Sequence, residues 1–274
     1  MILERIVCGV DGSPESLEGL RQAIALRSPE SRIVALTVCE LSLATHAGFE
    51  AVRAAAQLLD DADTAREASA QELTGVPFCE ARLVDGRPMP ALPNACERER
   101  ATLLVLGSHG WGRAAGILLG SLATTMLHQA PCPVLIARAP TTTNAFPRSI
   151  AVGVDGSSPS LEAEAFARSL AERLAVSLRV VVAQGGKPID IEGLREIKDL
   201  QWDDLRPVDA LVAASAGTDL LVLGSRGLHG LDALGSVSER VAHEAKGSVL
   251  VVRPFAYPRD SETSAAPTAQ VMPR

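Results

Sequence analysis

The chain has 274 residues, of which 47% are hydrophobic and only 3% aromatic, and its formal net charge is −7. This length allows one large domain or two of ordinary size, with enough aliphatic side chains for a packed core. The acidic balance contains no cluster of Lys and Arg, which argues against nucleic-acid binding because phosphate contacts supply most of that affinity. No apolar run approaches the roughly 18 residues of a membrane span. We therefore expect a protein that binds neither nucleic acid nor a membrane.

Two further features bear on the compartment. The first residues, MILERIVCGVDGS, read as a strand and lack the basic and apolar regions of a signal peptide. The five cysteines are too widely spaced for a disulfide framework, as is usual in a reducing environment. Both features predict a cytoplasmic protein.

The first half of the chain alternates strands with helices. Its first strand ends at Asp11-Gly12-Ser13-Pro14, where Ser13 suits the N-cap of a helix and Pro14 its first position. The pattern predicts strands at 6–10, 32–38, 78–84, 103–106 and 134–137, and helices at 15–26, 49–72, 90–100 and 121–129.

The second half repeats the first. IVCGVDGSPESLEGLRQAIAL, from Ile6, recurs as IAVGVDGSSPSLEAEAFARSL from Ile150, and LLVLGSHGWGRAAGILLGS from Leu103 recurs as LLVLGSRGLHGLDALGS from Leu220. We therefore predict a first domain at 1–140, a linker at 141–148, a second domain at 149–254 and a disordered tail at 255–274.

The second copy is abridged. It keeps a strand and helix at 150–175 and a strand at 178–183, and its Arg206-Pro207 matches Arg87-Pro88 of the first copy. The interval between these points has no room for the long helix predicted at 49–72. For 184–205 the sequence leaves open a short helix or a strand.

Strands that alternate with helices predict an α/β fold of two tandem, doubly wound, parallel-sheet domains, the second shortened. Such sheets bind ligands beyond the carboxyl ends of the strands, where the strand order reverses. Asp11, Val38 and the loop from Gly107 all lie at the carboxyl ends of predicted strands. They are therefore candidates for one binding site.

The glycine loop of the first half has a spacing that suits a nucleotide. Gly107 and Gly110 are followed, after nine residues, by Gly120-Ser121 at the start of a helix. Glycines allow the backbone to approach a ligand, and the first amides of a helix favour a phosphate. Tight turns and a serine helix cap would explain either glycine pair alone, but the complete spacing favours nucleotide binding. Arg113 lies inside this loop and suits a phosphate partner, although an ordinary surface arginine is the alternative.

With these motifs the chain resembles a tandem-type universal stress protein over nearly all of its length except the tail. The resemblance implies a fold that binds adenine nucleotides and a role in the stress response. It implies that ribose and phosphates lie against the residues of the loop and the following helix, and that Asp11 and Val38 hold the adenine end. The residues assigned to ribose and phosphates are Gly107, Gly110, Gly120 and Ser121, and Leu122 is also expected to bind the nucleotide.

Catalytic motifs are missing from the sequence. It contains no G-x-S-x-G elbow, no complete P-loop and no metal-binding spacing among its histidines. We therefore predict a regulatory protein that binds ATP, with or without Mg²⁺, has no catalytic or metal-binding residues and is at most a weak ATPase. The alternatives are an enzyme of the adenine-nucleotide α/β superfamily with slow ATP hydrolysis, and a scaffold that binds no nucleotide.

The second copy of the loop is two residues shorter, with seven residues between Gly227 and Gly235. This difference removes up to about 7 Å of extended reach, so we predict one ATP per chain, held by the first half. A weaker second site for a smaller ligand such as AMP would use Asp155, Gly224, Gly227, Gly235 and Ser236. The resemblance also implies that the strands at 134–137 and 249–252 pair within the chain, and we expect the chain to form a homodimer.

Overall fold

The computed structural model describes residues 3–40, 48–110, 119–138, 145–186, 189–225 and 234–257. Arg113 and Gly227 lie outside these ranges, as do 141–144 of the predicted linker and 258–274 of the predicted tail.

The first half forms every predicted element, with bounds within two residues of those expected from the sequence. Helix α1 begins as predicted, because Pro14 is its first residue and the Ser13 side chain accepts a hydrogen bond from Ser16 N. The elements are β1 (Arg5–Gly9), α1 (Pro14–Leu26), β2 (Arg32–Cys39), α2 (Gly48–Glu72), β3 (Cys79–Asp85), α3 (Pro88–Glu99), β4 (Leu103–Gly107), α4 (Ser121–Gln129) and β5 (Val134–Ala137).

The second half repeats this order without a counterpart of α2 among its described residues. Its elements are β6 (Ser149–Gly153), α5 (Ser158–Leu174), β7 (Ser177–Ala183), β8 (Leu200–Asp203), α6 (Pro207–Ala216), β9 (Leu220–Gly224), α7 (Ser236–Glu244) and β10 (Ser248–Val252). The open question at 184–205 is answered by β8, which pairs in parallel with β7. The short connection between β7 and α6 therefore still contains the fifth strand of the second half.

All ten strands form one sheet, in the order β3-β2-β1-β4-β5-β10-β9-β6-β7-β8. Neighbouring strands are parallel except at the centre, where β5 and β10 pair antiparallel with Leu135 opposite Leu250. This confirms the predicted pairing of the last strands of the two halves. Each half is a doubly wound, five-strand unit, and the two units meet edge to edge in the middle of the sheet.

Helices cover both faces of this sheet. Helices α1, α2 and α5 pack on one face, and α3, α4, α6 and α7 pack on the other. Strand side chains such as Val105 and Leu104 alternate between the two cores. Burial on both faces explains the continuous aliphatic runs, since neither face of the inner strands meets water.

The segment after β10 differs from the disordered tail expected from 255 onward. Phe255 and Tyr257 pack against the core on the face of the sheet that α3, α4, α6 and α7 cover. Ala256 N donates to Pro131 O at 2.9 Å, and the Tyr257 hydroxyl donates to Ala101 O. The expectation is therefore wrong for 255–257, because two aromatic rings and two hydrogen bonds fix these residues to the first half.

Two observations concern the environment of the protein. None of the described helices has a stretch long and apolar enough to cross a membrane. All five cysteines are free thiols, and four of them are buried. Burial raises the pKa of the Cys8 thiol, which favours its unreactive neutral form.

Candidate functional site

A cleft opens at the carboxyl ends of β1 and β4, where the strand order of the first half reverses. It lies on the face covered by α3 and α4, and its volume is about 100 Å³. Its walls are mostly aliphatic, which suits a flat organic ring. The aliphatic lining comprises Val10, Leu36, Val38, Leu92, Leu106, Leu122 and Ala123.

The structure brings together most of the residues predicted for the first site. Those that line the cleft are Asp11, Val38, Gly107, Gly110, Gly120 and Leu122. Ser121 is the first residue of α4, with an exposed side chain, and does not line the cleft. Arg113 lies outside the described residues.

Asp11 is held in place by the turn that follows β1. Its Oδ1 accepts hydrogen bonds from Ser13 N at 3.0 Å and from Ser13 Oγ at 2.5 Å. Ser13 itself is buried and fixed as the N-cap of α1. The carboxylate at the cleft therefore has a defined orientation, which a buried neighbour maintains.

Gly107 and Gly110 have packing roles that the sequence did not reveal. A Cβ on Gly107 would lie 2.7 Å from both Glu15 C and Ser16 N, so β4 ends against the backbone of α1. A Cβ on Gly110 would overlap Asp11 Oδ2. Gly107 thus allows close packing of strand and helix, and Gly110 leaves space for the Asp11 carboxylate.

Gly120 is different, because a Cβ there would lie 3.5 Å from Ser108 O, an ordinary contact. Gly120 is the N-cap of α4 in an extended conformation and offers no side chain to the first turn. Its own amide donates to Ser108 O at 2.8 Å. The start of α4 therefore faces the cleft with backbone amides and a helix dipole that favour an anion.

Sequence reasoning missed two kinds of residue in this cleft. Ser13 was seen only as a helix cap, yet it also orients Asp11. Leu36 and Leu92 were not singled out, although Leu36 shares its side of β2 with Val38 and the alternation of strand side chains would have indicated it. His109 also lines the cleft, with its Nδ1 3.0 Å from Ser108 Oγ.

A second cleft, of about 90 Å³, lies at the carboxyl ends of β6 and β9. Asp155, Gly224, Gly235 and Ser236 line it, whereas Gly227 lies outside the described residues. Asp155 Oδ1 accepts from Ser157 N at 3.1 Å and from Ser157 Oγ at 2.5 Å, which repeats the arrangement at Asp11. The abridged half therefore keeps a cleft of nearly the same volume.

One side of the second cleft is formed by a short segment after β7. Asp190 N donates to Asp155 O at 2.9 Å, and Ile189 lines the cleft. Gly156, with φ at +83°, has no room for a Cβ because Asp190 packs directly on it. This segment therefore packs directly on the turn that follows β6.

Among the described residues, metal ligands are not clustered at either cleft. Within the described ranges no group of three His, Cys, Asp or Glu side chains is arranged to hold a metal ion.

Comparison with known proteins identifies the family. The model of the universal stress protein family matches residues 3–138 and 186–253. The chain is 31% identical over 201 residues to universal stress protein Rv2005c of Mycobacterium tuberculosis, covering 62% of this chain and 68% of that protein. It is 29% identical to universal stress protein Rv2623 of the same organism, covering 90% and 96%. A universal stress protein from Archaeoglobus fulgidus shares the fold, with a TM-score of 0.72 and 20% identity over 93% of this chain and 97% of that one.

Proposed function

Because the chain belongs to the universal stress protein family, we propose that it is a regulatory stress-response protein whose first half binds ATP in the cleft between β1 and β4. The observation that carries this proposal is the cleft itself. It joins an aliphatic pocket, an oriented carboxylate at Asp11 and the uncapped start of α4 at Gly120. These three features match a base, a hydrogen-bonding edge and an anion.

We assign each part of the nucleotide to a part of the cleft. The adenine ring lies against Val38 and its aliphatic neighbours, and Asp11 accepts a hydrogen bond from the base or sugar. The phosphates lie at the N-terminus of α4, against Gly120, Ser121 and Leu122, and Arg113 pairs with one of them. Gly107 and Gly110 shape the loop. Mg²⁺ would be held chiefly by the phosphates, since no cluster of acidic ligands among the described residues is arranged for it.

We propose that the second half binds ligand more weakly than the first. Its cleft keeps Asp155 and the Gly235-Ser236 step, but the loop before that step is two residues shorter. We propose that it holds a smaller ligand such as AMP weakly, so that the chain binds one ATP. We further propose a cytoplasmic homodimer with no more than slow ATP hydrolysis.

Isothermal titration of the full chain with ATP tests the first site. Gly120→Val should abolish binding while the protein remains folded, because a Cβ at this position meets only ordinary contacts within the chain. The matched variant is Gly235→Val, at the corresponding N-cap of α7, where φ is −67° as against −71° at Gly120. This variant should bind one ATP with unchanged affinity. Unchanged ATP affinity in folded Gly120→Val would refute the assignment, and two equivalent ATP sites would refute the stoichiometry.

Turnover distinguishes this function from the enzymatic alternative. A regulatory protein should retain ATP over many minutes, whereas multiple turnover faster than about one per second would be ordinary for an enzyme. Release of phosphate at that rate by the wild-type chain, and not by Gly120→Val, would favour the enzyme.

A further inference from the structure

Two arginines connect the two halves of the chain across the centre of the sheet. Arg253 directly follows β10, and its guanidinium donates to Leu127 O at 3.0 Å and to His128 O at 3.1 Å. These carbonyls belong to the last turn of α4, in the first half. Arg253 is 7% exposed, so the second half holds the C-terminal end of a first-half helix from within the core.

Arg138 makes the reciprocal connection. It directly follows β5, and its guanidinium donates to Ala242 O at 2.5 Å and to Gly247 O at 3.3 Å. Ala242 lies in the last turn of α7, and Gly247 follows that helix. Burial lowers the pKa of Arg138 to about 10. Each half therefore donates hydrogen bonds to the C-terminal end of the last helix of the other half.

Both arginines are also joined to the clefts through the backbone. Ser108 N, at the first cleft, donates to Ala137 O at 3.0 Å, and Ala137 immediately precedes Arg138. In the second half, Ser225 N donates to Val252 O at 2.8 Å, and Val252 immediately precedes Arg253. The helix that each arginine holds begins at the opposite cleft, because α4 starts at Gly120 and α7 starts at Gly235.

We propose that these crossed connections couple the two clefts, so that a nucleotide in the first cleft alters the backbone of the second. The inference rests on the proposed binding of ATP in the first cleft. One route runs from the start of α4 through its last turn and Arg253 to Ser225. The other runs from Ser108 through Arg138 to the last turn of α7.

The dimensions of the helices make this transmission physically reasonable. Helices α4 and α7 have nine residues each and are therefore only about 13 Å long. A close-packed core has low compressibility and transmits strain, so we expect a helix of two and a half turns to pass a displacement from one end to the other. The two helices also touch directly, with His128 Nε2 3.3 Å from Glu239 Oε1. A phosphate that draws in the start of α4 thus also moves its arginine-bound end.

Hydrogen exchange of the full chain, with and without saturating ATP, tests the coupling. ATP should slow exchange in the segment from Gly120 into α4, which reports binding at the first cleft. It should also slow exchange by about fivefold or more at the end of β9 and in α7, within the usual range of coupling between sites. Arg253→Met should remove the distant effect at Ser225, and Arg138→Met should remove it in α7. Both variants should keep the local effect at the first cleft.

Arg179→Met is the matched control, because Arg179 also donates to a carbonyl of a helix C-terminus, Ala214 O at 2.8 Å, but within one half. This variant should keep every ATP effect. Arg253→Lys, which retains the charge and loses the planar fork, should weaken the effect at Ser225 if Arg253→Met does not fold. ATP protection confined to the first half, or a distant effect that survives in both methionine variants, would overturn the coupling.

Leu122→Phe separates a failure of coupling from a failure of ATP binding. This substitution fills part of the first cleft without any ligand, since Leu122 lines it. If ATP does not slow hydrogen exchange in the segment that begins at Gly120 and continues into α4, that result would count against the proposed ATP binding and not against the coupling. Leu122→Phe should still change exchange at Ser225 if the clefts are coupled, and unchanged exchange there would refute the coupling whatever ATP does.

Discussion

Gly107→Ala should destabilise the fold, although Gly107 belongs to a motif associated with ligands. The added Cβ would lie 2.7 Å from Glu15 C and from Ser16 N, both backbone atoms of the start of α1. Carbon atoms in ordinary contact are separated by about 3.5 Å or more, so strand and helix must separate by nearly 1 Å. Overpacking of this kind costs about 1–3 kcal/mol, and the upper end applies because backbone atoms cannot rotate away.

Thermal unfolding followed by circular dichroism measures this cost. For a chain of this size each kcal/mol lowers Tm by about 2–4 °C, so Gly107→Ala should lower it by about 5–10 °C. Gly224→Ala should behave alike, because its Cβ would lie 2.6 Å from Pro159 C and 3.0 Å from Ser160 N. Gly120→Ala is the control, with its nearest contact at 3.5 Å, and should cost less than about 1 kcal/mol. Equal Tm values for Gly107→Ala and Gly120→Ala would refute the packing argument.

Three further changes have defined outcomes. Gly110→Ala should weaken ATP binding at least tenfold in titration calorimetry, because its Cβ displaces the Asp11 carboxylate. Tm should change little, because a carboxylate can rotate away. Unaltered affinity would count against a role for Asp11 in binding. Thr37→Val should raise the free energy of unfolding in urea by about 1 kcal/mol, because Thr37 Oγ1 is buried without a hydrogen-bond partner among the described residues; a loss of stability would reveal a partner. Burial raises the pKa of Tyr257, the only tyrosine, above its ordinary value of 10.0, so stability should fall as pH rises above 10 and the phenolate absorbance should appear only on unfolding. Tyr257→Phe should show a shallower fall, and a phenolate signal from the folded protein near pH 10 would contradict the burial.

The periodic part of the fold could be predicted closely from the sequence. Helix α4 and strand β5 have the predicted bounds because Gly120, Pro131 and Pro133 interrupt clear helix and strand patterns. The region 184–205 could not be decided, because β8 has only four residues and its Trp202 remains half-exposed at the sheet edge. The attachment of Tyr257 was missed for a different reason. Its partner, Ala101, lies 156 positions away, and no local pattern records that contact.

For the candidate site, the sequence likewise indicated which residues lie together but not which atoms they contact. The sequence identified Asp11 and the loop glycines as neighbours because the carboxyl ends of β1 and β4 meet at one edge of the sheet. It could not assign the tasks of those glycines, since the atoms that surround Gly107 belong to α1, about 90 residues earlier. Nor could it show that Ser13 serves both α1 and Asp11, because a helix cap alone accounts for a serine at that position.

A glycine motif can be repeated for structural reasons, so its presence in both halves does not mean that both halves bind the same ligand. Gly107 and Gly224 meet the same backbone, at the start of α1 and of α5 respectively, so the fold alone requires both. The Asp-Ser pair is likewise present in both halves with nearly equal distances. The halves differ in the length of the loop before the Gly-Ser step and in the segment at Asp190 that covers the Gly156 turn. The shorter loop lies before the helix start where our proposal puts the phosphates, which is why we assign ATP to the first half and a smaller ligand to the second.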